Sequence, residues 1–248
     1  MNDITQSNLP RDMWDMRPLP GIQPVQGSWM VVDDAYAGQM ALRDQLLDTQ
    51  RDRVIAQPKS ALGPATELLD VVLDMLADFG FDVKPETVTC PDGRVVQIDR
   101  ADPLDTLGRL VQCDFCLHDT VGGEHVLHGA VLCFPARWTL AEKIGKPLRA
   151  IHSPVDEYDD SVARRVQRLF DGVQVGRPLW RFNHNWYSTP TLFAPLLENE
   201  ECRMSATPGA GTFLRVERQT IFRLPQCRWV VFAIHTVFVP FEAVPQYA

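Results

Sequence analysis

The residue types that can do chemistry in this chain are its six histidines and six cysteines and one strand crowded with charge. The most suggestive spacing is Cys113-x-x-Cys116 followed by His125-x-x-His128, which offers two thiols and two imidazoles to a zinc ion. The spacing argues against that use. Eight residues separate the pairs, and the histidines stand closer than structural zinc sites prefer. If "VQCDFCL" is a strand, Cys113 and Cys116 point to opposite faces, which leaves Cys113 with Val111, Phe115 and Leu117 in the core. The segment "LRVERQTIFRLP", residues 214–225, poses the sharper question. Strand alternation places Arg215, Glu217, Gln219, Ile221 and Arg223 on one face, read here as the outer one. Leu214, Val216, Arg218, Thr220, Phe222 and Leu224 fall on the other. Arg218 therefore sits among the apolar residues, where a guanidinium needs an anion or a strong acceptor. An internal ion pair and a ligand carboxylate both meet that need.

Three histidines deserve separate readings. His184 shares a strand face with Trp180, Phe182 and Trp186, and His235 interrupts the apolar "WVVFAIHTVFV". Each can be a core histidine bonded through one nitrogen or a functional group. His152, in "AIHSPVDEY", stands at the boundary of a helix, where a side chain can be held rigidly. A bond to backbone is the plain alternative there. No glycine-rich phosphate loop, H-E-x-x-H or G-x-S-x-G is present.

These residues must be positioned by a chain of 248 residues, 45% hydrophobic, which is enough for a sizeable core. The net charge of −8 disfavours a general nucleic-acid or anionic-membrane binder. The start shows no basic stretch followed by an apolar run, and no stretch of about twenty apolar residues follows. The expectation is a soluble, cytoplasmic protein. Cys90, Cys113, Cys116, Cys133, Cys202 and Cys227 are too sparse for a disulfide framework and read as free thiols.

Residues 1 to about 30 are proline-rich and read as extended chain. Helices follow over Ala37 to Ile55 and in "PATELLDVVLDMLADFGF", with Pro64 near the start of the second and Gly80 at its end. Leu68, Leu69, Val72, Leu73, Leu76 and Phe79 give this helix a broad apolar face. "VTCPDGRVVQI" reads as a hairpin, and a short helix covers Pro103 to Leu110. From Val111 the order becomes two strands joined at Gly122 and Gly123, a short helix in "WTLAEKIG", a long helix from Ser153, then "LWRFNHNWY", "FLRVERQTIFRL" and "RWVVFAIHTVFV". Ser153 as N-cap, Pro154 as first helical residue and Asp156 as the returning acid suit that long helix. The expected class is α+β: a PAS-like antiparallel sheet with inserted helices enclosing a ligand (111–248), preceded by an N-terminal helical extension with a hairpin (1–110), all one compact unit. Fold alone does not fix function.

"FPARWTLAEKIGKPLRAIHSPVDEY", Asn185-Trp186, and "LRVERQTIFRLP" followed by "VVFAIHT" together resemble the haem-dependent oxidative N-demethylase family. The resemblance runs from about Arg17 through Pro240, with Asp156 standing where the family pattern usually has proline. It implies a b-type haem, since no C-x-x-C-H attachment motif is present, and removal of an N-methyl group from a small secondary amine with oxygen, releasing formaldehyde. His152 is then the candidate iron ligand, and His152, Arg215, His184, Asn185, Trp186 and His235 are candidate cofactor-binding residues. Arg218 and Glu217 are candidate catalytic groups, Arg218 toward a propionate or bound oxygen and Glu217 toward a dialkylammonium if a bulge turns it inward. Electrons would come from a partner reductase carrying FMN and a 2Fe-2S cluster, with accessory subunits. A haem-binding gas or redox sensor, or a scaffold subunit without haem, are the competing readings.

Overall fold

The structure, a computed structural model, describes residues 4–13, 21–152, 160–198, 200 and 204–244. In chain order it contains β1 (Gln23–Pro24), α1 (Tyr36–Thr49), α2 (Arg51–Val54), β2 (Ile55–Ala56), α3 (Leu62–Leu76), β3 (Asp82–Val83), β4 (Thr87–Thr89), β5 (Val95–Gln97) and α4 (Pro103–Leu110). There follow β6 (Asp114–Val121), β7 (Glu124–Val131), α5 (Leu140–Lys143), α6 (Leu148–Ile151), α7 (Asp160–Gly172), β8 (Leu179–Tyr187), β9 (Phe213–Arg223) and β10 (Val230–Pro240).

Local chemistry accounts for the main elements. In α3, Leu68, Leu69, Val72 and Leu76 are fully buried at helical spacing, Pro64 occupies the first turn where its missing N–H costs nothing, and a 3₁₀ turn ends at Gly80 with φ +82°. α4 starts on Pro103 and buries Leu104, Leu107 and Leu110. Gly122 and Gly123, both at positive φ, make the tight turn that pairs β6 with β7, since two left-handed residues match the strand twist.

Seven strands form one antiparallel sheet in the order β1-β8-β9-β10-β6-β7-β2, and β3-β4-β5 form a second, smaller sheet. β9 lies between β8 and β10 and pairs with β10 along its whole length. Helices α6 and α7 cover one face of the large sheet: Leu148, Phe170 and Val173 pack on Ile221 and Val230. On the other face, Phe115, Leu117, Phe222 and Val231 join Leu47, Leu68, Leu69 and Leu107 from α1, α3 and α4 in one core, which crosses the boundary at residue 110. The N-terminal segment closes the rest of that second face. Leu9 and Met13 pack with Trp180, Phe182, Val216 and Val237, and Gln6 exchanges hydrogen bonds with the backbone of Phe238.

Several expectations need correction. The helix expected over Ala37 to Ile55 breaks at Gln50, and Ile55 enters the sheet as β2. The helix in "WTLAEKIG" is a single turn, and a second turn, α6, follows it. Ser153, Pro154 and Asp156, the expected cap of the long helix, lie outside the described residues. Most consequential, the face of β9 read as outer is buried: Arg215 is 2% exposed, Glu217 8% and Gln219 9%. Both faces of this strand are covered.

Candidate functional site

Alternation and register assign the polar residues of the sheet to two separate sites. Arg181, Asn183 and Asn185 of β8 pair with Gln219, Glu217 and Arg215 of β9, and Thr236 of β10 stands beside Glu217. All share the face covered by α6 and α7. Trp180, Phe182, His184 and Trp186, with Arg218 and His235, share the opposite face.

On the first face the side chains form a continuous row. Arg181 donates through Nη1 to Gln219 Oε1 at 3.0 Å, Gln219 donates to Glu217 Oε2 at 3.2 Å, and Arg215 donates to Glu217 Oε1 at 3.2 Å. Arg215 also donates to the carbonyls of Phe134 at 2.6 Å and Leu192 at 3.2 Å, so its placement is fixed by three acceptors. Glu217 faces this row without needing a bulge. Asn185 sits on the same face but is exposed.

His152 terminates α6. Its ring Nδ1 lies 2.8 Å from the carbonyl oxygen of Leu148, a geometry in which Nδ1–H donates and the lone pair is left on Nε2. Burial holds the imidazole below its ordinary pKa, the bond to Leu148 opposes this, and the cations Lys143 and Arg181 reinforce it. The ring is therefore neutral at pH 7. Lys143 ties α5 to this turn by donating to the Ile151 carbonyl at 2.7 Å and pairing with Glu198 at 2.7 Å. His118, on the same face, is pushed down to about 3 by burial first and by His125 and His152 second.

Arg181 was not singled out in the sequence, yet with Lys143 it is one of the two cations that depress His152. Burial lowers its pKa, Glu217 only partly compensates, and its Nε is buried without a hydrogen-bond partner. Its signal was the alternation of Arg181, Asn183 and Asn185 against an aromatic face, a pattern that reads as solvent-exposed until the opposite cover is known.

Arg218 and His235 are not brought to His152. Arg218 lies over the Trp180 ring, 4.2 Å from its centroid, and reaches Asp12 at 3.4 Å. His235 Nε2 bonds Asp33 at 2.8 Å. Burial would pull this imidazole down, but the hydrogen bond and charge of Asp33, helped by nearby Cys113, outweigh it and push it up to about 9. Half-buried His184 stays on this aromatic face, and Trp186 meets Phe241. Arg218 thus makes a long ion pair with the exposed Asp12 on the face away from His152. His125 bonds Asp171 at 3.0 Å and His128 lies beside Trp229. No cluster of three or more metal-binding side chains occurs among the described residues, whose five cysteines are free thiols.

Fold and site together define a mixed α and β protein whose antiparallel sheet buries a row of guanidinium, amide and carboxylate groups opposite a neutral histidine. The chain belongs to the family described as Haem-dependent oxidative N-demethylase, alpha subunit-like, which matches residues 21–248. That description names haem dependence and an oxidoreductase chemistry. The residues on the first face fit such a group in their chemistry: the bond to backbone fixes the His152 tautomer, as metal-bound histidines require, and the buried, unpartnered Nε of half-buried Arg181 suits an anionic propionate. No helix among the described residues is long and apolar enough to cross a membrane.

Proposed function

We propose that this chain is the haem-binding catalytic subunit of an oxidative N-demethylase acting on a small secondary amine such as dimethylamine, akin to the haem subunit of dimethylamine monooxygenase. The observation that carries the reading is the convergence of His152, Arg181 and Glu217 on one covered face. The strand order β8-β9-β10-β6-β7 supports a PAS-like core, because the two strands before the helical insert lie next to the last strand of the chain. Overall, dimethylamine, oxygen, two electrons and two protons would give methylamine, formaldehyde and water. A non-covalently bound haem b would supply the oxygen chemistry, and electrons would come from a partner reductase with FMN and a 2Fe-2S cluster.

This chain's residues have defined tasks in that reading. His152 would hold the iron, with Leu148 fixing the ring. Arg181 Nε would receive a propionate, relieving a buried donor that otherwise has no partner. Glu217 accepts the N–H of a dialkylammonium; Arg215 and Gln219 occupy one lone pair on each carboxylate oxygen and leave capacity for a further donor. Arg215 therefore positions Glu217 and does not touch the amine.

The test is reconstitution of the purified chain with haem, followed by the Soret spectrum and by amine-dependent formaldehyde release with a surrogate electron donor and oxygen. His152→Ala is expected to lose the normal haem spectrum, and Glu217→Gln to keep the spectrum while raising KM for dimethylamine. A wild-type chain without a Soret band refutes haem binding. A haem-loaded chain that binds gases but releases no formaldehyde refutes the enzyme and favours a sensor.

A further inference from the structure

The opposite face of the sheet holds a second polar pocket that the oxidative reading does not use. It is a cavity of about 320 Å³ between the N-terminal segment and strands β9 and β10, with Gln6, Asp12, Asp33, Asp34, Arg218 and His235 in its wall. That volume lies at the small end of ligand pockets.

The charged groups in its wall are not equally engaged. Asp33 is fully occupied: Oδ1 accepts from Gln112 and the Ala35 N–H, and Oδ2 from Gln6 and His235. This carboxylate neutralises His235. Arg218 is 8% exposed, held against Trp180, with Nε buried and without a hydrogen-bond partner. Among the described residues its one ion pair, to Asp12, is long at 3.4 Å and joins it to a carboxylate that is 53% exposed. A planar guanidinium in this state can still take a forked pair with a carboxylate. Asp34, also exposed, accepts the Ser7 N–H at 2.9 Å. The pocket thus sets one under-satisfied buried cation beside two exposed carboxylates. A simple anion would meet Arg218 but be repelled by Asp12 and Asp34, and a simple cation would meet the reverse. A molecule carrying both charges a few bonds apart satisfies both ends.

We propose that this cavity binds a small zwitterion of the amino-acid class, its carboxylate on Arg218 and its ammonium toward Asp12 and Asp34. The site shares no residue with the row around Glu217, so it stands independently of the oxidative reading.

Calorimetric titration of the purified full-length chain with glycine tests this, with acetate and methylammonium as the two half-ligands; glycine carries no N-methyl group and so is not a secondary amine of the kind assigned to Glu217. One saturable site with a Kd of about 1 mM or tighter is expected for glycine, and binding about tenfold weaker or worse for each half-ligand. Arg218→Gln and Asp34→Asn should each weaken glycine about tenfold, while Glu217→Gln leaves it unchanged. Because Asp34 is exposed, its variant reads the site even if Arg218→Gln unfolds. Absence of saturable binding overturns the proposal. So does acetate binding as tightly as glycine, a loss confined to Glu217→Gln, or no effect of Asp34→Asn.

Discussion

His235 should make the stability of this protein fall as the solution becomes alkaline, and the size of the effect follows from its environment. The ring is 2% exposed and bonded to Asp33 at 2.8 Å. Burial opposes its protonation, yet Asp33 and Cys113 raise its pKa to about 9 from about 6.5 in the unfolded chain. Asp33 shifts the other way: burial raises it, but His235, Gln112 and Gln6 hold it below its ordinary value. Because the folded pKa of His235 is the higher one, its contribution is fully present below about pH 6.5 and is lost as pH rises through about 9. At about 1.4 kcal/mol per pKa unit, the contribution is about 3 kcal/mol. The assay is urea unfolding of wild type and His235→Gln from about pH 6 to about pH 10. Subtracting the two curves removes titrations common to both. The stability advantage of wild type should shrink by about 3 kcal/mol across the window. A difference that stays flat, or grows toward the alkaline end, would refute the pairing as described.

Arg215→Met should destabilise the fold by about 3–5 kcal/mol, because it strands buried Glu217 and two carbonyls; equilibrium unfolding checks this, and a change under 1 kcal/mol or so contradicts the buried row. Arg223→Met should cost about 1–2 kcal/mol, since Arg223 donates to the carbonyls of Phe170 and Val173 at the end of α7 and of Arg228 in the β9–β10 turn; a lower thermal unfolding midpoint with an unchanged haem spectrum is the expected result. Gly129→Ala would place a Cβ 2.9 Å from that of Ala61, forcing the chain after β2 to move at a cost of about 1–3 kcal/mol, measurable by urea unfolding.

Much of the scaffold was legible because periodicity and punctuation agree: α3 follows its leucines, α4 runs between Pro103 and Leu110 as read, and the last four long strands stand where alternation put them, while the first, expected from Val111, starts at Asp114 after Cys113. The two-residue strands β1 and β2 were not legible, since they owe their pairing to neighbours and carry no pattern of their own. The candidate site was legible in its parts but not in its grouping. Alternation separated Glu217 from Arg218 correctly, but it reports sides and not what covers them. A face bearing Arg215, Glu217 and Gln219 looks like a solvent face until its cover is known, α6 and α7 at the Ile221 end and the Phe134 and Leu192 segments over Arg215, and Arg181 was overlooked for the same reason. The apolar neighbours of Arg218 and His235 correctly marked a buried side, yet it is the side closed by the N-terminal segment and not the one beside His152.

Glu217 and Arg218 are adjacent in the chain but face opposite sides of the sheet, and this couples the two faces to chain length. Inserting or deleting one residue within β9 would turn every side chain beyond that point through the sheet, exchanging the contents of both faces at once. Divergence of this protein can therefore proceed by substitution within β9, or by length changes in the connections before Phe213 and after Arg223, while the residue count of the strand itself must stay fixed.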